Sequence, residues 1–261
     1  MPAHLTPAGE PWASTAASEQ SLGRFDEFVA ALSSDVSDPG EEPTRAVHSS
    51  GGAAGGVVSE GQGYGLFLGG ATAAVLPASH ARRADVLTTA YEIFRGWRRM
   101  CERTVANSCQ STHMCGADGS HECLPSWKFD DDLAAEVSTG SAPDGDEDAI
   151  LGMVLLVIAA RDDAPRPAWW DEVAQWTYQS CKSFLLHLSV DHPSLLATNG
   201  EPLRVLKLGS CWGGWDCNNP SYHAPLRDYM IAYAPTFGAD AGEGTALAPT
   251  WDALVETSYA N

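Results

Sequence analysis

The sequence predicts an all-α fold, and three observations lead to that prediction. Apolar residues recur every three to four positions over several long stretches, which is the spacing of one face of an α-helix. Strict alternation of apolar and polar residues, the pattern of a half-buried strand, is nearly absent. With 261 residues, of which 44% are hydrophobic, the chain is large enough to bury a substantial core.

Seven helices are expected from the positions of the apolar residues, over 20–33, 60–76, 83–105, 147–160, 168–189, 220–233 and 250–258. The clearest apolar stripe runs from Val86 to Met100. The segment 147–160 is apolar on all faces, which predicts a completely buried helix. A membrane-spanning helix needs about 20 apolar residues, so this shorter run indicates a core helix.

The segments between these helices divide the chain into a tail and a globular part. Residues 1–56 are expected to be disordered or linker-like, with one helix over 20–33, because 1–18 and 35–57 are rich in Pro, Gly, Ser and Ala. The globular domain is expected over 57–261. Two long loops within it contain tryptophans, carboxylates and cysteines, which favours ordered, functional loops.

The net charge of −19 excludes several classes of partner. Such a charge repels phosphate backbones and anionic lipids, so neither nucleic-acid nor membrane binding is expected. A neutral polysaccharide fits this charge, and the chain is expected to act as a monomer. The sequence contains no dinucleotide-binding, phosphate-binding or zinc-protease motif, and no cofactor or metal is expected.

A glycine-rich segment, residues 59–65 (SEGQGYG), opens the second expected helix. In one interpretation Ser59 caps the helix and Glu60 complements its dipole. In the other, the glycines imply close approach by another group, because each disfavours a helix by about 1 kcal/mol relative to Ala. Glu60 is then a candidate general acid that faces a groove.

An acidic segment contains eight carboxylates between Asp130 and Asp148, and no Lys or Arg occurs from 129 to 160. One interpretation is a solvated loop or a weak calcium site, although the segment lacks the ligand order of an EF-hand. The other interpretation is a functional cluster. In the second case Asp144 and Asp146 open the buried helix, where carboxylates are desolvated or hydrogen-bonded.

A third segment, residues 212–222 (WGGWDCNNPSY), places two tryptophans among glycines. Flat aromatic faces stack on sugar rings, and neighbouring Asn and Asp side chains hydrogen-bond hydroxyl groups. This pattern predicts a sugar-binding platform. The alternative is a loop that its tryptophans pack onto the core.

In this order the segments resemble glycoside hydrolase family 8, whose members are inverting endo-acting enzymes on β-1,4-linked polymers such as cellulose, xylan, lichenan and chitosan. Residues 59–65 look like its general-acid segment, 142–148 (APDGDED) like its signature, and 219–222 (NPSY) like a later segment. The resemblance implies an (α/α)6 barrel, which is expected to be incomplete because it needs twelve helices. Pro143 and the order Ala149-Ile150 depart from the usual signature.

The resemblance also implies roles for individual residues in an endoglucanase-like enzyme that hydrolyses cellulose or another β-glucan. Glu60 would be the general acid, and Asp144 would bind the sugar at the cleavage site and distort its ring. The aromatic residues expected to bind substrate are Tyr64, Trp127, Trp212 and Tyr222. No motif identifies the general base, for which the available carboxylates are Asp228, Asp240, Glu243, Asp252 and Glu256. The alternative is a polysaccharide-binding remnant without a base.

The seven cysteines favour an oxidising compartment and hence secretion, although no signal peptide is visible. Cys211 and Cys217 are expected to form a disulfide across a short loop that contains glycines. Among Cys109, Cys115 and Cys123, two are expected to pair. A zinc site with the intervening histidines is the alternative, but the spacing fits no common zinc finger.

Overall fold

The structure, a computed structural model, describes residues 14–49, 55–105, 114–223 and 241–260, and within the last range the side chains of 245–258. These residues form six α-helices: α1 (Thr15–Leu32), α2 (Ser59–Val75), α3 (Arg83–Arg103), α4 (Pro143–Ala160), α5 (Trp170–His187) and α6 (Ala241–Ala260). A 3₁₀ helix spans Pro220–Tyr222. Residues 224–233 of the helix predicted over 220–233 lie outside the described residues. The remaining predicted helices are confirmed, with shifted ends.

Nine strands accompany the helices in the described residues, so the prediction of an all-α fold is only partly correct. They are β1 (Ser33–Asp35), β2 (Arg45–Val47), β3 (Val57–Val58), β4 (Met114–Cys115), β5 (His121–Glu122), β6 (Lys128–Phe129), β7 (Glu136–Ser138), β8 (Ser189–Leu196) and β9 (Pro202–Leu206). All pairings among them are antiparallel, in the sheets β1-β2, β3-β6-β7, β4-β5 and β8-β9. Most of these strands are two or three residues long, which is too short for alternation to be recognised in the sequence.

The described residues after α1, 35–49 and 55–57, do not form a loose linker, which corrects the expectation for this part of the chain. Ala46 and Val47 of β2 are fully buried. The loop between β1 and β2 is bound by arginines of α3: Arg99 donates to the Val36 carbonyl and pairs with Glu41, and Arg95 pairs with Glu42 at 2.7 Å. Ion pairs with α3 therefore help to hold this polar loop in place.

Helix α4 lies at the centre of the fold and is buried on nearly all faces, as predicted. It packs most extensively on α2, and also on α5 and α3. Glycines allow this close approach: a Cβ atom on Gly70 would lie 2.3 Å from the Gly152 carbonyl oxygen, and one on Gly63 would lie 2.5 Å from that of Gly145. None of the helices in the described ranges is long and apolar enough to cross a bilayer.

The disulfide predictions have different outcomes. Cys115 and Cys123 form a disulfide, while Cys109 lies outside the described residues. Cys211 and Cys217 are not joined, so that prediction is wrong. Cys217 is exposed. The Cys211 sulfur is directed instead towards the Ser210 hydroxyl, 3.8 Å away.

Candidate active site

A groove of about 410 Å³ lies where α2 and α4 begin, beside the loop that follows β9. Its walls combine residues from all three segments that the sequence singles out. The lining residues are Ser49, Val58, Ser59, Glu60, Trp127, Ala142, Asp144, Leu208, Trp212 and Tyr222. The groove therefore contains both candidate carboxylates and three of the four aromatic residues predicted to bind substrate.

Glu60 and Asp144 share the groove because the first turns of α2 and α4 contact each other. Each residue is the second of its helix, and both are half-buried. A Cβ atom on Gly145 would lie 2.5 Å from the Glu60 backbone nitrogen and 2.7 Å from the Ser59 hydroxyl, so only glycine fits there. Unpaired N–H groups give each helix start a partial positive charge, which favours carboxylates at this position.

Trp127 is fixed to the start of α2 by backbone hydrogen bonds. Its carbonyl accepts from Ser59 N at 2.9 Å, and its own N–H donates to the Gly140 carbonyl at 2.8 Å. The indole N–H donates to the Ser138 hydroxyl at 2.8 Å. Since that donor is already used, Trp127 offers the groove an aromatic surface rather than a hydrogen bond.

Trp212 is held against the segment that precedes α4. Ser210 N donates to the Ser141 carbonyl at 3.0 Å, and Ser141 N donates to the Ser210 hydroxyl at 3.0 Å. The indole ring lies against two glycines, since a Cβ atom on Gly140 or Gly209 would come within 2.7 or 2.6 Å of it. The ring remains 41% exposed, as a stacking surface requires.

Tyr222 reaches the groove from the 3₁₀ helix Pro220–Tyr222. The next residue, His223, anchors it: Leu206 N donates to its Nε2 at 3.2 Å, and its Nδ1 lies 2.8 Å from the Ser258 hydroxyl of α6. Burial raises the pKa of Tyr222, and the negative charges of Asp144 and Glu60 raise it further. The phenol thus lies within the electrostatic reach of both carboxylates.

Tyr64 does not line the groove, in contrast to its predicted role in substrate binding. Its hydroxyl donates to Glu60 Oε1 at 2.6 Å, one helical turn away. This hydrogen bond is the largest cause that raises the pKa of Tyr64 to about 12, followed by burial and by the charges of Glu60, Asp148 and Asp144. The spacing of four residues between Glu60 and Tyr64 is the signal from which the contact could have been predicted.

Asp146 points away from the groove into the core, although it follows Asp144 by only two residues. It is fully buried, and neither carboxyl oxygen accepts a hydrogen bond from the residues that the structure describes. Burial, with a smaller contribution from the charge of Asp144, raises its pKa well above the ordinary value. Of the two aspartates that open α4, only Asp144 is available to a ligand in the groove.

Of the five candidate general bases, the two whose side chains the structure describes do not lie in the groove. On α6, Asp252 is exposed and Glu256 accepts a hydrogen bond from Thr198 N at 2.8 Å, and neither lines the groove. Asp228 and Asp240, together with the Glu243 side chain, lie outside what the structure describes. Over the described ranges, no three His, Cys, Asp or Glu side chains are grouped to bind a metal ion.

Several groove residues were not singled out by sequence reasoning. Ala142 is the first residue of the recognised segment 142–148, and Val58 and Leu208 lie near recognised segments, so proximity to those segments is a usable signal. Ser49 comes from the segment interpreted as a linker. Nothing in the sequence around Ser49 indicates that it reaches the groove.

Comparisons with known proteins support the fold. No protein-family model matches the chain, and no curated protein matches it in sequence. Among solved structures, the β-1,3-1,4-glucanase of Paenibacillus sp. X4 aligns with 95% of this chain and 52% of its own, with a TM-score of 0.57 and 15% identity. The endo-β-1,4-glucanase CMCax of Acetobacter xylinum aligns with 88% of this chain and 58% of its own, with a TM-score of 0.51 and 16% identity.

Rex8A from Paenibacillus barcinonensis, complexed with xylose, aligns with 93% of this chain and 54% of its own, with a TM-score of 0.52 and 17% identity. These solved structures are of glycoside hydrolase family 8, whose fold is an (α/α)6 barrel. The chain spans between half and three-fifths of their length. The chain therefore shares, as a partial fold, the architecture of glycoside hydrolase family 8, which confirms at the level of the fold the resemblance found in its motifs.

Proposed function

We propose that this chain carries the substrate groove and general acid of an inverting endo-glycosidase that hydrolyses β-1,4-linked polysaccharide, with cellulose or a related β-glucan as substrate. One observation carries the proposal: Glu60 and Asp144 lie in the same groove as Trp127, Trp212 and Tyr222. These residues come from segments far apart in the sequence. An aromatic surface beside two carboxylates suits the stacking of sugar rings and acid-catalysed cleavage between them.

In the proposed reaction, the carboxylic acid of Glu60 gives its proton to the glycosidic oxygen as the bond from the anomeric carbon to that oxygen breaks. Water adds to the anomeric carbon from the opposite face and loses its proton to a carboxylate base. The two carboxyl groups of such a pair lie about 6.5–9.5 Å apart, which leaves room for the water. Asp144 accepts hydrogen bonds from hydroxyl groups of the sugar at the cleavage site.

The charge of the chain and its structural neighbours favour a neutral β-linked glucan. The net charge of −19 disfavours acidic polymers. Two of the neighbours are named as glucanases, and the Rex8A neighbour contains xylose. β-Glucan is therefore the first substrate to test, and xylan the second.

A non-catalytic polysaccharide-binding role is the alternative, and a specific observation favours it. Glu60 and Asp144 are the two acidic residues among the described residues that line the groove. Both already have proposed roles, Glu60 as the general acid and Asp144 in binding the sugar, so neither is left to act as the base. General-base catalysis contributes roughly 10²- to 10⁴-fold to rate. A groove without a base would bind the polymer and scarcely cleave it.

Hydrolysis and binding measured on one polymer separate the two functions. Reducing-sugar release from soluble β-1,4-glucan is compared between the unaltered chain, Glu60→Gln and a control, Glu27→Gln, whose carboxylate is exposed on α1. Turnover that is lost in Glu60→Gln and kept in Glu27→Gln supports the enzyme. Retardation in affinity electrophoresis without turnover, abolished by Trp212→Ala, supports the binding role. If the chain neither hydrolyses nor binds the polymer, both functions are refuted.

We also propose that the protein is secreted. The Cys115–Cys123 disulfide supports this proposal, since disulfides persist mainly in oxidising compartments. Thiol counting on denatured, unreduced protein from its native source tests it. Seven reactive thiols would contradict it.

A further inference from the structure

We propose that Tyr64 is a positioning residue for the general acid: its hydroxyl holds one carboxyl oxygen of Glu60 and thereby leaves the acidic proton on the other. This inference rests on the proposed function, because it assigns Tyr64 a part in the proton transfer from Glu60.

The geometry of α2 creates the contact. Glu60 and Tyr64 are four residues apart, so their side chains lie above one another on the same helical face. The Tyr64 hydroxyl is 2.6 Å from Glu60 Oε1, whereas the tyrosine itself is not among the residues that line the groove. Tyr64 therefore reaches the reaction through Glu60 and not through the sugar.

The direction of the hydrogen bond decides which oxygen of Glu60 carries the proton. In a neutral carboxylic acid the carbonyl oxygen is a better acceptor than the hydroxyl oxygen, so a phenol that donates to Oε1 favours the acidic proton on Oε2. The raised pKa of Tyr64, about 12, keeps the phenol protonated throughout the neutral range. It therefore remains a donor before and after Glu60 has given up its proton.

The same hydrogen bond matters more once the proton has left. A hydrogen bond to an ionised carboxylate is stronger than one to the neutral acid, so Tyr64 stabilises the state that Glu60 enters as the glycosidic bond breaks. It also restricts rotation of the carboxyl group. Both effects act on the rate of the chemical step and leave substrate binding unchanged.

Kinetics with two substrates distinguish positioning from substrate binding. Tyr64→Phe keeps the ring and removes the hydroxyl, and we expect kcat on β-1,4-glucan to fall about tenfold or more while KM changes less than about twofold. An oligosaccharide with an activated leaving group, such as a glycosyl fluoride, needs little acid assistance, so its hydrolysis should be nearly unaffected. Equal losses on both substrates, or a rise in KM alone, would overturn the proposal.

Tyr91→Phe is the matched control. Tyr91 also donates to a carboxylate, Glu172, at 2.9 Å, and its pKa is likewise raised to about 12, but it lies away from the groove. The same chemical change there should leave both kinetic constants unchanged. A tenfold loss in this variant as well would show that the effect is structural.

A second measurement does not depend on activity. In protein labelled with ¹³C at tyrosine Cζ, the resonance absent from Tyr64→Phe is assigned to Tyr64 and followed up to about pH 10.5, close to the ordinary tyrosine pKa of about 10. We expect no titration in the unaltered chain and clear titration in Glu60→Gln, because the carboxylate acceptor has been removed. Identical behaviour in both would refute the hydrogen bond.

The two proposals fail in different ways. If the unaltered chain hydrolyses neither substrate, the proposed enzyme is refuted, and with it the catalytic part of the Tyr64 proposal, whatever the NMR titration shows. If the chain is active but Tyr64→Phe retains full kcat on β-glucan, the positioning role alone is refuted.

Discussion

The contact between α2 and α4 predicts that Gly152→Ala destabilises the fold. A Cβ atom at this position would lie 2.3 Å from the Leu66 carbonyl carbon and 2.5 Å from the Phe67 nitrogen. Both are backbone atoms, so no side-chain rotation can relieve the overlap. Since carbon atoms in contact lie about 3.5–4.0 Å apart, the helices must separate by about 1 Å.

The expected magnitude follows from two opposing effects. Overpacking of a close-packed core costs about 1–3 kcal/mol. Alanine in place of glycine in a helix recovers up to about 1 kcal/mol. We therefore expect the free energy of unfolding to fall by up to about 2 kcal/mol, measured from urea titrations followed by circular dichroism.

Gly23→Ala provides the control. Gly23 lies in α1 on an exposed face, and a Cβ atom there would meet no atom within 4 Å. This variant should be as stable as the unaltered chain or more stable by up to about 1 kcal/mol. If Gly152→Ala proved as stable as Gly23→Ala, the argument that glycine is required for the α2–α4 contact would be refuted.

Three further predictions follow from other contacts. Gly145→Ala should reduce hydrolysis of β-glucan by about 10²-fold, because the added Cβ would displace the start of α2, and a misplacement of about 1 Å costs that much in rate. An unchanged kcat would contradict the placement of Glu60. Buried Asp146 has a raised pKa, so the folded chain keeps a proton that the unfolded chain loses, and stability should fall as pH rises above about 4, by up to about 1.4 kcal/mol per pH unit. Urea titrations of Asp146→Asn at pH 4 to 7 should show that the free energy of unfolding changes less with pH than in the unaltered chain. An unchanged dependence on pH would count against a buried carboxyl group at this position. Replacing Cys115 and Cys123 by serine should cost about 2.5 kcal/mol, since the disulfide closes a short loop with a sequence separation of 8; an unaltered melting temperature would contradict this.

Helices with strong apolar patterns could be predicted from the sequence, and their ends could be predicted less well. Helix α4 begins at Pro143 and not at 147, because a proline in the first turn suits a helix start while the apolar run begins only later. Helix α1 begins at Thr15, where Ser14 caps it by accepting from Ala17 N at 3.3 Å. Polar capping signals of this kind carry no periodicity.

The glycines of α2 show what a sequence can and cannot reveal about packing. Their density predicts close approach by other groups, and the structure confirms it. Gly63 contacts α4, whereas a Cβ atom on Gly65 would lie 2.8 Å from the Val47 side chain of β2. The partners could not be predicted, because β2 follows a loop that is bound by arginines of α3, far along the chain.

The sequence predicts Glu60 and Asp144 at the starts of two helices, and the structure places both there and in one groove, while their catalytic roles stay predictions. Tyr64 was assigned to the groove because it belongs to the same motif as Glu60. The direction of a side chain on a helix depends on what the neighbouring turn offers, and here Glu60 offers a carboxylate one turn away. Cys211 and Cys217 show the same limit, since close sequence positions did not bring their sulfur atoms together.

The groove residues are connected to one another by short contacts, so they form one unit. Backbone hydrogen bonds join Ser59 to Trp127 and Trp127 to Gly140. Beside Trp212, Ser210 N donates to the Ser141 carbonyl and Ser141 N donates to the Ser210 hydroxyl. Gly145 fixes the distance between the helix starts that carry Glu60 and Asp144. Contacts within the described residues thus bring Glu60, Asp144, Trp127 and Trp212 together. In the proposed function, binding of the polymer and placement of Glu60 would therefore depend on the same contacts, whereas activation of the water would depend on a separate carboxylate.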